Sequence, residues 1–189
     1  MPRKTKEELE ENRNARKYVI SLKSHLATTR FNSQTREENR VYRERKNHAG
    51  CIYGTPNTIS SAVPLNTNVF VLEMDNTKNE VFAIGLIINK PPSSNHNIYS
   101  DYNYNLYSYS GKYRIERSQM TTQEQEIMKV FDYLCFRGPM HQKRHHGITL
   151  FPAKLLWRCK DIIDLVKFVE DMFKRFISEY KKTNTTAKI

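Results

Sequence analysis

The sequence contains no long run of apolar residues. Its first residues, Met1 to Glu8, lack the apolar core of a secretory signal, and no uninterrupted apolar run approaches the ~18 to 20 residues that a membrane-spanning helix needs. We therefore expect a soluble intracellular protein of the cytoplasm or nucleus with no membrane partner. Internal repeats and low-complexity linkers are also absent from the sequence, and 189 residues are enough for one compact domain with appendages.

Cysteine is scarce, with three residues in the chain. An odd number of cysteines without an export signal fits reduced thiols or metal ligands better than a disulfide framework. His48 and Cys51 are spaced like half of a zinc site, and Cys135 and His141 could supply further ligands. The prolines and glycines around His141 argue against a helix that would align it with His145. We predict no cofactor, with structural zinc as the alternative.

Motifs typical of enzymes are missing from the sequence. It has no Gly-rich phosphate loop, no GxSxG elbow and no HExxH helix. We therefore predict no catalytic residues and a binding function. The catalytic alternative is a hydrolase of nucleic acid in which His145 or His146 acts as the general base.

Positive charge dominates the composition, with 31 Lys and Arg residues against 20 Asp and Glu residues and a net charge of +11. Such a balance favours a polyanionic partner, although it also serves simple solubility. The segment from Cys135 to Cys159 contains no acidic residue. Its basic and histidine side chains are Arg137, His141, Lys143, Arg144, His145, His146, Lys154 and Arg158. We predict that this segment binds the phosphates of RNA or DNA.

Aromatic side chains near this charge offer stacking surfaces for bases. Trp157, the only tryptophan, lies within the basic segment, and Tyr104 and Tyr109 belong to a tyrosine-rich stretch before it. Base stacking on an aromatic ring contributes ~1 to 3 kcal/mol and tolerates sequence variation. The alternative is that the tyrosines form the core and rim of a sheet and that Trp157 packs against a core helix.

Residues 1–48 form a charged segment that we predict to be a helical arm. Capping-box motifs begin at Thr5 and Thr35, and they predict helices over about 5–29 and 35–47. The second helix has little to bury and carries Arg36, Arg40, Arg43, Arg45 and Lys46. It is either a solvated strut or a phosphate-facing surface, and the arm is a candidate for binding a protein partner or a second copy of the chain.

Residues 49–182 are predicted to be an α+β domain, followed by a frayed tail over 183–189. Two apolar runs at 69–74 and 81–88, separated by turn-forming residues, indicate a β-hairpin covered on both faces. Gly85 within the second run marks a bulge, a bend or a close approach to the backbone. Thr121 or Thr122 caps a short helix, and an apolar stripe over about 161–180 predicts a final core helix.

The hairpin written NVFVLEM and VFAIGLI resembles the paired strands of the PUA-like superfamily, which includes PUA, EVE and YTH domains. The resemblance covers roughly residues 50–152. It implies a small β-barrel with flanking helices that binds RNA or DNA, in several relatives around a modified base in an aromatic pocket. The chain is also similar to uncharacterised proteins of large DNA viruses of protists, which would place it in a virus factory or virion.

Together these patterns predict an α+β, PUA-like protein that binds nucleic acid without catalysis, around an extruded or modified base. The alternatives are a structural or assembly protein of a virion and a nucleic-acid hydrolase.

Overall fold

The computed structural model describes residues 5–92 and 96–186, with side chains to residue 183. It contains five α-helices within those ranges: α1 Lys6–Ser21, α2 Ser33–Arg45, α3 Thr122–Phe136, α4 Ala153–Cys159 and α5 Leu165–Thr186. Its strands are β1 Ser24–Phe31, β2 Cys51–Thr55, β3 Asn68–Asp75, β4 Glu80–Ile88, β5 Tyr107–Gly111, β6 Tyr113–Glu116 and β7 Thr149–Leu150. The predicted α+β class is confirmed.

Five strands form one mixed sheet in the order β6-β4-β3-β1-β7, and β2 pairs with β5 in a separate antiparallel ribbon. Strands β1 and β3 run parallel, with Ser24 opposite Asn68 and Phe31 opposite Asp75. The other neighbours in the sheet run antiparallel. The described strands form no closed barrel, so the barrel implied by the PUA-like resemblance remains a prediction.

The sheet is covered on both faces because successive strand residues point to opposite sides. Leu72 and Met74 pack with α3 and α5 on one face, whereas Val69 and Val71 pack with α2 and the β2–β5 ribbon on the other. This arrangement confirms the predicted hairpin of β3 and β4 and its two covered faces.

The predicted helix over 5–29 is wrong in its second half. Helix α1 begins after the capping box of Thr5 and Glu8, as predicted, but it ends at Ser21. Residues 24–31 form β1, which lies between β3 and β7 in the sheet. The β-branched pair Thr28 and Thr29 favours a strand, and burial of both faces outweighs the helix-like spacing of the leucines. The predicted helical arm therefore contributes a strand to the main sheet.

Other predicted boundaries need smaller corrections. Helix α2 begins at Ser33 with Asn32 as its N-cap, and Thr35 closes that capping box from inside the helix. Thr121 and Glu124 form the predicted capping box of α3. The final helix reaches Thr186, so the frayed tail predicted from residue 183 does not begin there. Residues 1–4 of the predicted arm and 187–189 of the predicted tail lie outside the described residues.

Gly85 is a place of close approach, one of the three readings predicted for it. A Cβ at this position would lie 1.9 Å from the Tyr53 hydroxyl oxygen. The tyrosine crosses β4 at this point and donates a 2.8 Å hydrogen bond to the Glu73 carboxylate. Arg114 holds the same carboxylate from β6, with Nη2 and Oε2 2.8 Å apart. A buried ion pair therefore ties β3 to β6 across β4.

No helix within residues 5–92 and 96–186 combines the length and apolar character that crossing a bilayer requires.

Candidate nucleic-acid interface

The basic segment predicted as one interface divides into two structural units. Its first part is a loop, residues 137–147, which we call the basic loop; it lies beside the carboxyl end of β1. Its second part is α4, which packs against α1. The two units have different electrostatic surroundings, and only the basic loop keeps cations without a carboxylate partner.

The cations of helix α4 are already paired within the protein. Lys154 and Arg158 both pair with Glu11 of α1, at Nζ–Oε2 3.2 Å and Nε–Oε1 2.5 Å. Hydrogen bonds from Arg158 and Lys154 lower the pKa of Glu11 to about 2. The predicted roles of Lys154 and Arg158 in phosphate binding are therefore not supported, because a carboxylate occupies each of them.

Trp157 packs within the same helix pair. Its ring meets Tyr18 of α1 edge to face, with the ring centroids 6.0 Å apart, and the Lys160 ammonium lies 4.4 Å from its ring centroid. The structure thus favours the packing alternative for Trp157 over the predicted stacking surface.

Arg30 of β1 anchors the basic loop. Its Nη1 donates to the Lys143 carbonyl at 2.9 Å, and its Nη2 lies 3.1 Å from Nδ1 of His146. The Tyr104 hydroxyl approaches the same Nδ1 at 2.9 Å. Asn76, which follows β3, donates from Nδ2 to the Lys143 carbonyl at 3.1 Å. Side chains at the carboxyl ends of two parallel strands therefore fix the loop beside Tyr104.

A cavity of about 330 Å³ lies at this edge, where β1 ends and α2 begins. We call it the strand-end pocket. Arg30, Glu38, Asn76, Tyr99 and Tyr104 contribute to its lining, together with Gly147 of the basic loop. The crevice beyond the carboxyl ends of parallel strands is a common ligand position in α/β sheets, because helices begin there.

Two acceptors at the strand-end pocket lack donors. Glu38 Oε2 and Asn76 Oδ1 are buried and have no hydrogen-bond partner among the described residues. The other carboxylate oxygen, Glu38 Oε1, accepts from Gln34 Nε2 at 3.0 Å, and Asn76 is oriented by its bond to the loop. A buried acceptor without a donor costs free energy, so a ligand carrying N–H groups would find complementary atoms here.

The cations of the basic loop are available to an anion. Arg137 and Arg144 are exposed and have no carboxylate partner in the described part of the chain. Lys143 donates from Nζ to the neutral Asn79 amide oxygen at 2.7 Å, so its charge is also uncompensated. His141 is half-buried and accepts from the Lys143 amide at 3.3 Å, whereas the side chain of His145 is exposed.

Of the two tyrosines predicted to stack, only Tyr104 reaches this site. Tyr109 lies in the core beneath the ribbon, and its hydroxyl accepts from the Ile59 amide at 3.0 Å. Burial raises the pKa of Tyr109. The prediction that Tyr109 stacks on a base is wrong because β5 directs this side chain inward. For Tyr109 the structure agrees with the alternative, in which the tyrosines form the core of a sheet.

The candidate zinc ligands are not brought together. Cys51 and Cys135 lie in hydrophobic clusters on opposite faces of the sheet, and burial raises the pKa of both thiols. His48 uses Nε2 to contact the Cys51 carbonyl at 3.0 Å. Across residues 5–92 and 96–186, no three His, Cys, Asp or Glu side chains form a group that could hold a metal ion.

Arg30, Glu38 and Asn76 were not among the residues predicted from the sequence. Their signal was an apolar, β-branched segment followed directly by a helix N-cap, a pattern typical of a strand that ends at a ligand crevice. Because the helix predicted over about 5–29 covered most of β1, this edge of the sheet was not predicted.

Comparison of the chain with protein-family models, with curated proteins and with solved structures found no match.

Proposed function

We propose that this protein binds single-stranded nucleic acid without catalysis, with the sugar-phosphate backbone along the basic loop and one base in the strand-end pocket. The observation that carries the proposal is the anchoring of the basic loop, with its uncompensated cations, by Arg30 and Tyr104 at the rim of a pocket with unpartnered acceptors. Phosphates would supply the negative partners that Arg137, Lys143 and Arg144 lack among the described residues.

The pocket suits a base extruded from the strand. Its volume of about 330 Å³ accommodates one ring system, and the half-buried ring of Tyr104 offers a stacking surface. The acceptors of Glu38 and Asn76 suit the N–H donors that a base carries on its edge. We include in this proposal a modified base as an occupant of the pocket, RNA or DNA as the strand, and kinship with the PUA-like superfamily.

The phosphate contacts are tested with a matched pair of charge variants. Arg137→Gln with Arg144→Gln removes two free cations, whereas Lys154→Gln with Arg158→Gln removes two cations that are already paired with Glu11. Fluorescence anisotropy of labelled RNA and DNA strands at several salt concentrations gives the slope of log affinity against log salt. Replacing Arg137 and Arg144 should reduce the magnitude of this slope by about 1.4, because each phosphate contact of a single strand contributes about 0.7. Equal effects of the two pairs would contradict the proposal.

The base contact is tested by Tyr104→Ala. Loss of a stacking ring should weaken binding by about 1 to 3 kcal/mol. Tyr133→Ala is the control, because Tyr133 is 66% exposed on α3 and is not among the lining residues of the pocket. A panel of oligonucleotides differing in one base then reports base preference. Unchanged affinity in Tyr104→Ala would remove the pocket from the interface.

A second candidate function, protein association through α1, is supported by an exposed apolar pair. Leu9 and Ile20 are 55% and 79% exposed, and they line a shallow groove together with Arg13, Arg16 and Lys17. Light scattering tests this function directly. A defined oligomer that dissociates on Ile20→Lys and ignores oligonucleotides would favour an assembly role over nucleic-acid binding.

A further inference from the structure

A second cavity lies on the other flank of α2 and has a different electrostatic character. It measures about 370 Å³ and is bounded by α2, β3, β4 and β6. Arg36, Arg40 and Arg43 project into its lining from one face of α2, since positions separated by four and seven residues share a helix face. Phe31 is the only lining residue that this cavity shares with the strand-end pocket.

Every carboxylate that lines this cavity already has an arginine partner. Asp75 pairs with Arg36 at 2.8 Å, and Glu37 pairs with Arg40 at 2.6 Å. Arg114 takes the remaining two, Glu73 at 2.8 Å and Glu116 at 2.6 Å. Each carboxylate of the lining therefore has an arginine partner, and five lining cations against four carboxylates leave an excess of one positive charge.

Arg43 and Lys78 are the cations left over. Arg43 is half-buried, and its one hydrogen bond in the described structure runs from Nε to the neutral Asn39 Oδ1 at 3.1 Å. Burial lowers the pKa of Arg43 and the positive charge of Arg114 lowers it further, against smaller opposing effects of Glu73, Tyr53 and Glu116. Lys78 is exposed at the edge of the cavity, and its ammonium has no acceptor among the described residues. No carboxylate bonds directly to the partly desolvated Arg43 guanidinium among the described residues, so an anion that did would stabilise it.

We infer that this cavity binds a phosphate oxyanion, held by the free Nη groups of Arg43 with Lys78 at its edge. The planar guanidinium matches the spacing of two phosphate oxygens and donates to both, which gives short charge-assisted hydrogen bonds. The carboxylates of the lining are each paired with an arginine, and the excess of one positive charge in the lining favours an anion. The site is separate from the basic loop and does not depend on the proposed function.

The experiment is a titration of the full-length chain with inorganic phosphate, followed by the arginine Nε–H signals in ¹H–¹⁵N spectra. The Arg43 signal should shift with saturation, and Arg43→Gln should weaken the affinity at least about tenfold, the effect of losing a charge-assisted hydrogen bond. Arg43→Lys keeps the charge but loses the forked guanidinium. Its phosphate affinity should lie between those of the unaltered chain and Arg43→Gln. Arg158→Gln is the control for removal of one positive charge and should leave the affinity unchanged.

An Arg43 signal that does not move, or equal weakening by Arg158→Gln and Arg43→Gln, would overturn the inference. If Arg43→Gln does not fold, Lys78→Gln and the spectra of the unaltered chain still decide it. A second titration, with an oligonucleotide, distinguishes between two sources of the phosphate. A strand that shifts Arg43 and competes with phosphate identifies a nucleic-acid phosphate, whereas a strand that leaves Arg43 unmoved identifies a small phosphorylated ligand. Failure of the basic-loop variants would leave this site standing.

Discussion

At the residue scale, Gly85 and Tyr53 show how one absent side chain permits a buried polar contact. The Tyr53 ring can lie across β4 and reach Glu73 only because residue 85 has no Cβ. Burial raises the pKa of Tyr53, which keeps the hydroxyl protonated as a donor to the Glu73 carboxylate. The Glu73 side chain thus receives donors from both Tyr53 and Arg114 in an interior position.

Gly85→Ala should therefore destabilise the protein by about 1 to 3 kcal/mol through overpacking. The new methyl group would meet the Tyr53 hydroxyl oxygen at 1.9 Å and Sγ of Cys51 at 2.7 Å. Urea unfolding measures the loss. In a Tyr53→Phe background the same substitution should cost less, because the first of these clashes is removed. Costs that add without coupling would show that Tyr53 does not occupy the space above Gly85.

His25 is a buried base without partners. Both ring nitrogens lack hydrogen bonds to described residues, and burial lowers the pKa of His25 below 6.5. Between that lowered pKa and 6.5 the unfolded chain binds more protons than the folded protein, so stability rises with pH there and levels off above about 6.5. Urea midpoints at several pH values check this. His25→Gln should flatten the slope, whereas exposed His145→Gln should not.

At the element scale, the incorrect prediction of β1 as a helix explains why part of the site was not predicted from the sequence. The hairpin of β3 and β4 followed from its apolar runs and turn residues, and the helices were recognisable from capping boxes and apolar stripes. Strand β1 has a leucine spacing compatible with a helix, and its strand form depends on pairing with β3, which lies far along the chain. Local pattern cannot report such pairing, so the pocket that depends on it was missed.

Packing of α4 on α1 gives Trp157 a structural role. Trp157→Ala should lower stability by about 1 to 3 kcal/mol, because it removes the edge contact with Tyr18 and the surface under Lys160. Oligonucleotide affinity should remain unchanged under conditions where the variant is folded. Thermal unfolding and fluorescence anisotropy on the same samples separate the two effects. A stable variant that no longer binds would restore Trp157 to the interface.

At the scale of the whole molecule, the N-terminal segment and the rest share one sheet. Strand β1 lies between β3 and β7, and Leu26 belongs to the same hydrophobic cluster as Phe173 of α5. Composition changes near residue 48, and this change led to the predicted division into a charged arm and a domain. Such a change reports where charge is concentrated and not where the core ends.

A chain that begins at residue 49 should therefore fail to fold cooperatively, because it lacks β1 between its sheet neighbours. A chain that begins at residue 23 keeps β1 and should retain a cooperative transition of reduced stability, since it loses the α1–α4 packing. Circular dichroism with urea unfolding distinguishes them. A sharp transition in the shorter chain would show that residues 49 onward fold independently.

The position of β1 in the chain also sets an order of events during translation. This strand emerges from the ribosome before both strands that flank it, and β7 appears only after the basic loop has been made. Until β3 follows, β1 presents unpaired backbone groups and the apolar side chains of its two faces to solvent or to neighbouring nascent chains. Slow decoding between β1 and β3 would lengthen that exposure, so the yield of folded protein should depend on the speed of synthesis over this interval.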